Sequence, residues 1–263
     1  MVADLVRTGW AHFPAEAALR DWAAEARSAA LARIADPAQR AQWLQCEGTW
    51  FVGVDTLPND SRGRVGASAP LECAATDAAR DLYGALPLHP GQVSVTYPGY
   101  PKPRAGESDA AFRYRLNRCA AHVDGLLPVG ADRRRMLRER HAYILGLPLT
   151  ETGAGAAPMV VWEGSHHIMR DAFETALGGL DPSDWGDIDV TDVYRAARRE
   201  VFATCPRVTV HGPPGTACLV HRLALHGVAP WQEGASAPPE GRMVAYFRPQ
   251  FGDVAQDAWL RRP

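Results

Sequence analysis

The sequence predicts an α+β fold, a double-sheet jelly roll (a double-stranded β-helix) with helices at its N-terminal end and a helical insertion. Short segments rich in β-branched and aromatic residues, separated by Gly or Pro turns, fill the C-terminal half. Apolar residues at helical spacing precede them. Because the helices stand in front of the strands, a parallel sheet built from β-α units is not expected.

The composition is that of one globular domain. The chain has 263 residues, 46% of them hydrophobic, and a formal net charge of −2, which is enough to bury one large core. We expect a single domain over residues 1–263. Within it, residues 1–90 would form a mainly helical support, residues 91–250 the jelly-roll core, and residues 167–205 the helical insertion.

Charge and cysteine usage narrow the possible partners. Lys102 is the one lysine, and the arginines are interspersed with acidic residues along the chain, so a nucleic-acid partner is not expected. The five cysteines are widely spaced, which predicts reduced thiols. No apolar run suits a bilayer, and the N-terminus lacks a signal-like pattern. We therefore expect a cytoplasmic protein without membrane contact.

Three helices are predicted near the N-terminus. The first covers about residues 15–34 and ends before Asp36-Pro37, and a short second helix follows Pro37. The third begins at Thr76 as N-cap and continues through Tyr83. The apolar stripe of the first helix consists of Leu19, Trp22, Ala23, Ala26, Ala30 and Leu31.

The strands follow. Residues 92–97 form the first predicted strand, which Pro98-Gly99 ends, and the polar segment 101–117 is predicted as a loop that leads into a strand around His122. The insertion holds a helix after the cap Thr191. The remaining predicted strands cover residues 142–149, 158–163, 207–211, 216–222 and 242–248.

His122 and Asp124 are the first candidate metal ligands. Residues two apart on an extended segment point to the same side, so this imidazole and this carboxylate converge. Imidazole and carboxylate together suit iron(II) when coordination positions stay open. A third ligand must come from elsewhere, and the mouth of a small double-sheet barrel is where polar side chains can gather around a metal.

His226 is the favoured third ligand. It lies where Leu225-His226-Gly227 marks a strand edge, whereas His221, the rival, lies one strand-length earlier and can equally orient a ligand. His166 and His167 have turn character. The histidines without a partner at ligand spacing are His12, His89, His141 and His211.

Arg242 is a candidate anion site. On the predicted strand 242–248, Arg242 and Arg248 share one face with Val244 and Tyr246. An inward guanidinium requires an anion, and near a metal this favours a carboxylate co-substrate. A structural ion pair with an acidic residue is the alternative.

Four ordered blocks together resemble the phytanoyl-CoA dioxygenase family. The blocks are His122-Val123-Asp124, residues 162–166, residues 214–227 and Arg242, and the resemblance covers roughly residues 91–250. Family members are iron(II) and 2-oxoglutarate dependent oxygenases, in which a small-molecule substrate is oxidised by molecular oxygen while 2-oxoglutarate is decarboxylated to succinate.

By position, the resemblance makes His122, Asp124 and His226 the catalytic iron ligands and Arg242 the residue that binds the far carboxylate of 2-oxoglutarate. The long segment 231–240 departs from the family pattern, so Arg248 remains an alternative clamp. Family members that halogenate have a small residue in place of Asp124, so the resemblance implies a hydroxylase or desaturase. The insertion is expected to cover the pocket.

The substrate is less defined. Arg104, Arg113, Arg115 and Arg118 precede the metal segment, and with Tyr97, Tyr100 and Trp162 they are candidates to line an entrance for an acidic or acyl small molecule. Of these, Tyr97, Arg115 and Trp162 are the candidate substrate residues. A solvated arginine face is the alternative.

Two other functions remain open from the sequence. One is a cupin-like metal enzyme that does not use 2-oxoglutarate, and the other is a non-catalytic barrel that binds a small ligand.

Overall fold

The computed structural model describes residues 1–252 and 258–263. Its helices are α1 (Val2–Thr8), α2 (Ala17–Ala35), α3 (Pro37–Trp43), α4 (Ala74–Tyr83), α5 (Asp109–Asn117), α6 (Ser165–Leu177), α7 (Thr191–Thr204) and α8 (Ala258–Arg261), with a 3-10 helix at Pro182–Asp187. Its strands are β1 (Trp10–Phe13), β2 (Leu44–Gln45), β3 (Trp50–Gly53), β4 (Gln92–Thr96), β5 (Leu126–Val129), β6 (Arg134–Leu137), β7 (Tyr143–Pro148), β8 (Met159–Trp162), β9 (Arg207–Val210), β10 (Ala217–His221), β11 (His226–Val228) and β12 (Arg242–Phe247).

Two antiparallel sheets form the jelly roll. The larger sheet has the strand order β1-β10-β7-β12-β4-β3-β2, and the smaller has the order β11-β8-β9. A separate hairpin pairs β5 with β6. A cluster that includes Ile144, Met159 and Val220 joins the two sheets through their inner faces. The predicted jelly-roll fold is confirmed.

Strand parity decides which side chains face the barrel interior. In β12, Arg242, Val244 and Tyr246 lie opposite Thr96, Ser94 and Gln92 of β4. Residues directly opposite each other on paired antiparallel strands share one face. The intervening residues of β12, among them Met243 and Phe247, belong to the larger core cluster outside the barrel interior.

Helix α2 covers the outer face of the larger sheet. Its predicted apolar stripe is buried, apart from the partly buried Leu31, and Trp22 packs on Phe247 with ring centroids 6.1 Å apart. The indole of Trp22 donates to the carbonyl of Gly63 at 2.7 Å. The carboxylate of Asp36 caps α3 by accepting from the backbone N–H groups of Ala38 and Gln39.

Four local predictions need correction. Helix α7 begins at Thr191, with Val190 and not Thr191 as its N-cap. Helix α4 begins at Ala74, and Thr76 lies in its first turn, where its hydroxyl accepts from the N–H of Cys73. The segment predicted as a loop contains α5, which the hydroxyl of Ser108 caps. Residues 121–125 form no strand beyond a single bridge between His122 and His226.

The sequence also gave no indication of β1, β2 and β3, which lie within the predicted helical support. These strands complete the two edges of the larger sheet. The predicted helical insertion is present as α6, the 3-10 helix and α7. Phe173 of α6 stacks on Tyr194 of α7, with ring centroids 6.3 Å apart.

The cysteines are free thiols, with Cys205 partly exposed and Cys46, Cys73, Cys119 and Cys218 buried. None of the described helices has the length and hydropathy needed to span a membrane.

Candidate metal centre

The structure brings His122, Asp124 and His226 together. Their ligand atoms all lie within 4.8 Å of one another. The Nε2 atom of His122 is 3.1 Å from Asp124 Oδ1, and Nε2 of His226 is 3.8 Å from Asp124 Oδ2. Among the described residues, no other group of histidine, cysteine or acidic side chains can hold a metal in this way.

The backbone fixes both imidazoles for metal binding. His122 and His226 pair as neighbouring strand residues, each donating its N–H to the other's carbonyl, at 2.9 and 3.1 Å. Their Nδ1 atoms lie 2.9 Å from the carbonyls of Ala120 and Ala224 respectively. A proton on Nδ1 would satisfy each carbonyl and leave both Nε2 atoms to bind a metal. Burial lowers the pKa of His122, but its hydrogen bond with Asp124 outweighs this effect and raises that pKa.

The charges at the site suit a cation. Burial raises the pKa of Asp124, but the Arg248 guanidinium and the two imidazoles outweigh it and hold this pKa well below its usual range. Burial lowers the pKa of His226 to about 4. At neutral pH the centre therefore offers an ionised carboxylate and a neutral imidazole, which are the forms that bind metals.

Gly125 sets the turn that aims Asp124. Its φ is +82°, and a Cβ there would overlap the carbonyl oxygen of Glu139. The carbonyl of Gly125 accepts from the N–H groups of Arg138 and Glu139, at 2.9 and 3.3 Å. The chain therefore passes so close to residues 138–139 that only glycine fits, and the carboxylate one residue earlier is fixed.

We expect Gly125→Ala to lower the free energy of unfolding by about 3 kcal/mol, because backbone strain and steric overlap add. Gly130→Ala is the matched control: its φ is +70°, but nothing lies within 4 Å of a Cβ there. Gly130→Ala should lower the free energy of unfolding by about 1 kcal/mol, because it introduces backbone strain without steric overlap. Urea unfolding measures both variants, and equal losses would contradict the close packing described for Gly125.

Arg248 lies at the metal ligands. Its Nη1 is 3.5 Å from Asp124 Oδ2, and its Nη2 donates to Gln92 Oε1 at 2.6 Å. A guanidinium in this place orients the carboxylate that binds the metal. The structure thus gives Arg248 a partner at the centre itself, which argues against its alternative role as the clamp for a distal carboxylate.

Arg242 lies opposite Thr96 in the larger sheet and is buried, with 7% of its surface exposed. Its Nη1 has no hydrogen-bond partner, and neither has Oγ1 of Thr96, the residue opposite it in the sheet. Arg242 lines a small cavity of about 30 Å³. Met159 and Tyr246 line both this cavity and the metal cavity, so the two adjoin.

No described residue neutralises the guanidinium of Arg242. None of the ion pairs in the described ranges 1–252 and 258–263 includes it. Burial raises the pKa of the neighbouring Cys218 thiol to about 11, and it also raises the pKa of Tyr246. Both groups are therefore neutral at pH 7. A buried cation without a counter-ion is costly, so this position fits an anionic ligand.

The three predicted substrate residues lie away from the metal cavity. Tyr97 and Trp162 have the wrong strand parity: their neighbours Thr96 and Val161 face the barrel interior, and Trp162 packs on Phe202 at 5.3 Å. Arg115 is buried in a structural ion pair, with Nη2 2.5 Å from Glu107 Oε2. None of these three residues is among those that line the metal cavity.

We expect Glu107→Gln to lower the free energy of unfolding at pH 7 by about 2 kcal/mol, since it leaves Arg115 buried without its counter-ion. The hydrogen bond from Arg115 lowers the pKa of Glu107 below its usual 4.5. Because its pKa is lower in the folded state, the ionised Glu107 carboxylate adds to the free energy of unfolding above pH 4.5. This contribution is lost as the pH falls through the folded-state pKa. The difference between variant and wild type should therefore shrink below pH 4 in urea unfolding. A difference that does not depend on pH would contradict the ion pair.

Several other histidines have structural partners. His221 is fully buried, with Nδ1 accepting from the N–H of Leu223 and Nε2 3.2 Å from Arg170. It is therefore no ligand of this centre. His166 contacts the carbonyl of Val6, and His141 contacts Glu139.

The metal cavity has a volume of about 220 Å³. Its wall includes Trp50 and Val52, which the sequence did not indicate because β3 was not recognised, and Tyr100, which was among the residues expected to line an entrance. None of its lining residues comes from the insertion, contrary to expectation. The insertion instead contacts the backbone between two metal ligands: the hydroxyl of Tyr194 accepts from the N–H of Val123 at 3.1 Å.

Comparisons with known proteins agree on the fold. No protein-family model matches the sequence, and no curated protein matches it. Solved structures do match. The α-ketoglutarate dependent carbocyclase SnoK from nogalamycin biosynthesis is similar over 97% of this chain and 87% of SnoK, with a TM-score of 0.52 and 16% identity. AviO1 from Streptomyces viridochromogenes Tue57 is similar over 94% of this chain and 92% of AviO1, with a TM-score of 0.52 and 17% identity.

The epimerase SnoN, solved in complex with Fe3+, α-ketoglutarate and nogalamycin RO, is similar over 97% of this chain and 87% of SnoN. Its TM-score is 0.50 and its identity 16%. At these identities the likeness shows that the chain shares the jelly-roll fold of these proteins.

Proposed function

We propose that this protein is an iron(II) and 2-oxoglutarate dependent dioxygenase of the phytanoyl-CoA dioxygenase type, which hydroxylates or desaturates a small-molecule substrate. The observation that carries the proposal is the pairing of two features in one barrel interior. A centre of two imidazoles and one carboxylate opens on a cavity, and a buried guanidinium without a counter-ion lies beside that cavity. SnoK is an α-ketoglutarate dependent carbocyclase, and SnoN was solved with Fe3+ and α-ketoglutarate, which supports the same co-substrate and metal here.

The donor set fits iron(II). Two imidazole nitrogens and one carboxylate oxygen on one side of a metal leave the other positions open, which is the ligand set of non-haem iron(II) oxygenases. The buried guanidinium of Arg242 requires an anion. A dicarboxylate co-substrate supplies one, because one of its carboxylates can pair with Arg242 while the other end reaches the metal cavity.

Each residue has a distinct task. His122, Asp124 and His226 bind the metal, and Arg248 with Gln92 orients Asp124. Bound iron(II) with 2-oxoglutarate and oxygen supplies the oxidising power for C–H cleavage, with succinate and carbon dioxide as co-products. The apolar wall would exclude water and hold the substrate beside the three ligands.

The test of this function is succinate formation. The purified protein, supplied with iron(II), oxygen and 2-oxoglutarate, should release succinate slowly even without substrate, and omission of iron should stop it. Release in the presence of iron would separate the proposed function from a cupin-like Lewis-acid enzyme and from a binding barrel. If the iron-loaded protein released no succinate with any candidate substrate, the proposal would be wrong.

A further inference from the structure

We infer that the substrate is an uncharged, apolar molecule with a flat ring, which packs on Trp50 and Val52 of β3 above the metal centre. This substrate class rests on the oxygenase function proposed above. It replaces the acidic or acyl substrate that the arginine-rich segment suggested.

Strand β3 gives the cavity an apolar wall. Trp50 and Val52 alternate along the strand, so their side chains share one face, and Val54 continues the row. All three are only half-buried, which leaves apolar surface open inside the cavity. Ile144 and Met159 add to the apolar lining. Covering such surface with an apolar ligand is favourable, at about 25 cal/mol for each Å² removed from water.

Several polar groups of the wall already have partners, whereas the hydroxyl of Tyr100 and Nε of Arg248 have none. The hydroxyl of Ser94 accepts from the indole N–H of Trp50 at 3.2 Å. Gln92 accepts from Arg248, and Arg248 pairs with Asp124. Apart from the centre itself and Arg248, no charged residue lines the cavity in the part of the chain that the structure describes.

A charged group near the reacting carbon would therefore be desolvated without a counter-ion. That cost is large, because an isolated ion in an apolar environment loses its hydration and gains nothing in return. An uncharged substrate avoids this cost. The binding energy then comes from apolar and aromatic contact, which is the common pattern in small-molecule pockets.

Trp50 is held rigidly for such contact. Tyr100 packs edge-on against it, with ring centroids 5.5 Å apart, and the guanidinium of Arg104 lies 5.3 Å from its ring centre. Together with the Ser94 hydrogen bond, these contacts fix the plane of the indole. A flat ring loses less entropy than a flexible chain when it packs on a rigid aromatic surface.

A pair of similar probes tests the charge preference. We would measure binding of 2-acetylnaphthalene and of 2-naphthoate to the metal-free full chain carrying Arg242→Met by calorimetry, so that neither probe can coordinate iron and the carboxylate cannot pair with Arg242. The neutral ketone should bind about tenfold more tightly than the carboxylate. Trp50→Ala should weaken ketone binding about tenfold, and Trp50→Phe should largely preserve it.

Val52→Lys provides a gain-of-binding test that does not depend on loss of structure. A cation on the cavity wall should reverse the preference, so that 2-naphthoate binds more tightly than the ketone. Leu127→Lys is the matched control, since Leu127 is 41% exposed on the β5–β6 hairpin and does not line the cavity. It should leave both affinities unchanged.

Three results would overturn this substrate class. They are equal or tighter binding of 2-naphthoate to the metal-free chain carrying Arg242→Met, ketone binding that Trp50→Ala does not weaken, and no binding of the ketone. Tight naphthoate binding that Arg104→Gln abolishes would instead assign an acidic substrate at the cavity mouth. Because the probes bind without metal, succinate formation still tests the oxygenase function independently.

Discussion

Asp124→Ala abolishes iron binding and turnover while the protein stays folded. Asp124 is the one carboxylate at the centre, and its loss leaves two imidazoles, too few ligands to hold iron(II) facially. Loss of residues that merely orient ligands costs about 10- to 100-fold in metal affinity, and loss of a ligand should exceed that. Metal affinity is measured by anaerobic titration and folding by circular dichroism.

His221→Gln is the control for this prediction. The sequence left His221 as a rival ligand, but the structure places its two ring nitrogens against Leu223 and Arg170. The variant should keep the iron affinity of the wild type, whereas His226→Ala should lose it. Iron binding that survives Asp124→Ala or His226→Ala would contradict the assignment of the three ligands.

Arg242→Met weakens 2-oxoglutarate binding about 10- to 100-fold, because a charge-assisted hydrogen bond contributes about 1.5 to 3 kcal/mol. Iron affinity should not change, since Arg242 does not contact the metal ligands. Without co-substrate, Arg242→Met should also raise the free energy of unfolding by about 1 kcal/mol, because it removes a buried cation that has no counter-ion. Titration and urea unfolding of the same preparations give both quantities.

The combination of weaker binding and unchanged or higher stability separates an anion site from a structural ion pair. Arg242→Lys keeps the positive charge but not the planar guanidinium. It should therefore bind 2-oxoglutarate more tightly than Arg242→Met and more weakly than the wild type. Arg248→Met gives the opposite pattern, with weaker iron binding through the loss of its contact with Asp124. If Arg242→Met lowered stability and left 2-oxoglutarate affinity unchanged, Arg242 would be structural.

The pattern of residue types was sufficient to predict the jelly roll. It was also sufficient to predict that His122, Asp124 and His226 lie together. His122 and Asp124 are two residues apart, so their convergence requires only local extension. His226 was favoured from chain context, and the backbone pairing of His122 with His226 brings the two imidazoles together. The single bridge in place of a strand did not disturb this, because the turn at Gly125 aims Asp124.

Other features depend on contacts that are distant in sequence. The contact of Arg248 with Asp124 spans 124 positions, and no local spacing reports it. Strand β3 is short and apolar on both faces, with Trp50 and Val52 toward the cavity and the buried Phe51 toward the outer core. It therefore lacks the alternation of polar and apolar residues that marks a half-exposed strand.

Parity excludes two of the predicted substrate residues once the strand register is known. Once Arg242 is taken to face inward, its partner Thr96 must also face inward, so the adjacent Tyr97 faces outward. Trp162 alternates in the same way with Val161. Arg115 could not have been excluded like this, because the sequence does not show that Glu107 reaches it.

An anaerobic titration of the wild type, first with iron(II) and then with 2-oxoglutarate, tests the central claim most directly. The proposed centre predicts that the weak visible charge-transfer band of an iron–2-oxoglutarate chelate appears after the second addition. In Arg242→Met the band should require more 2-oxoglutarate, and in Asp124→Ala it should be absent. Iron binding by the wild type with no band at saturating 2-oxoglutarate would contradict the proposed function.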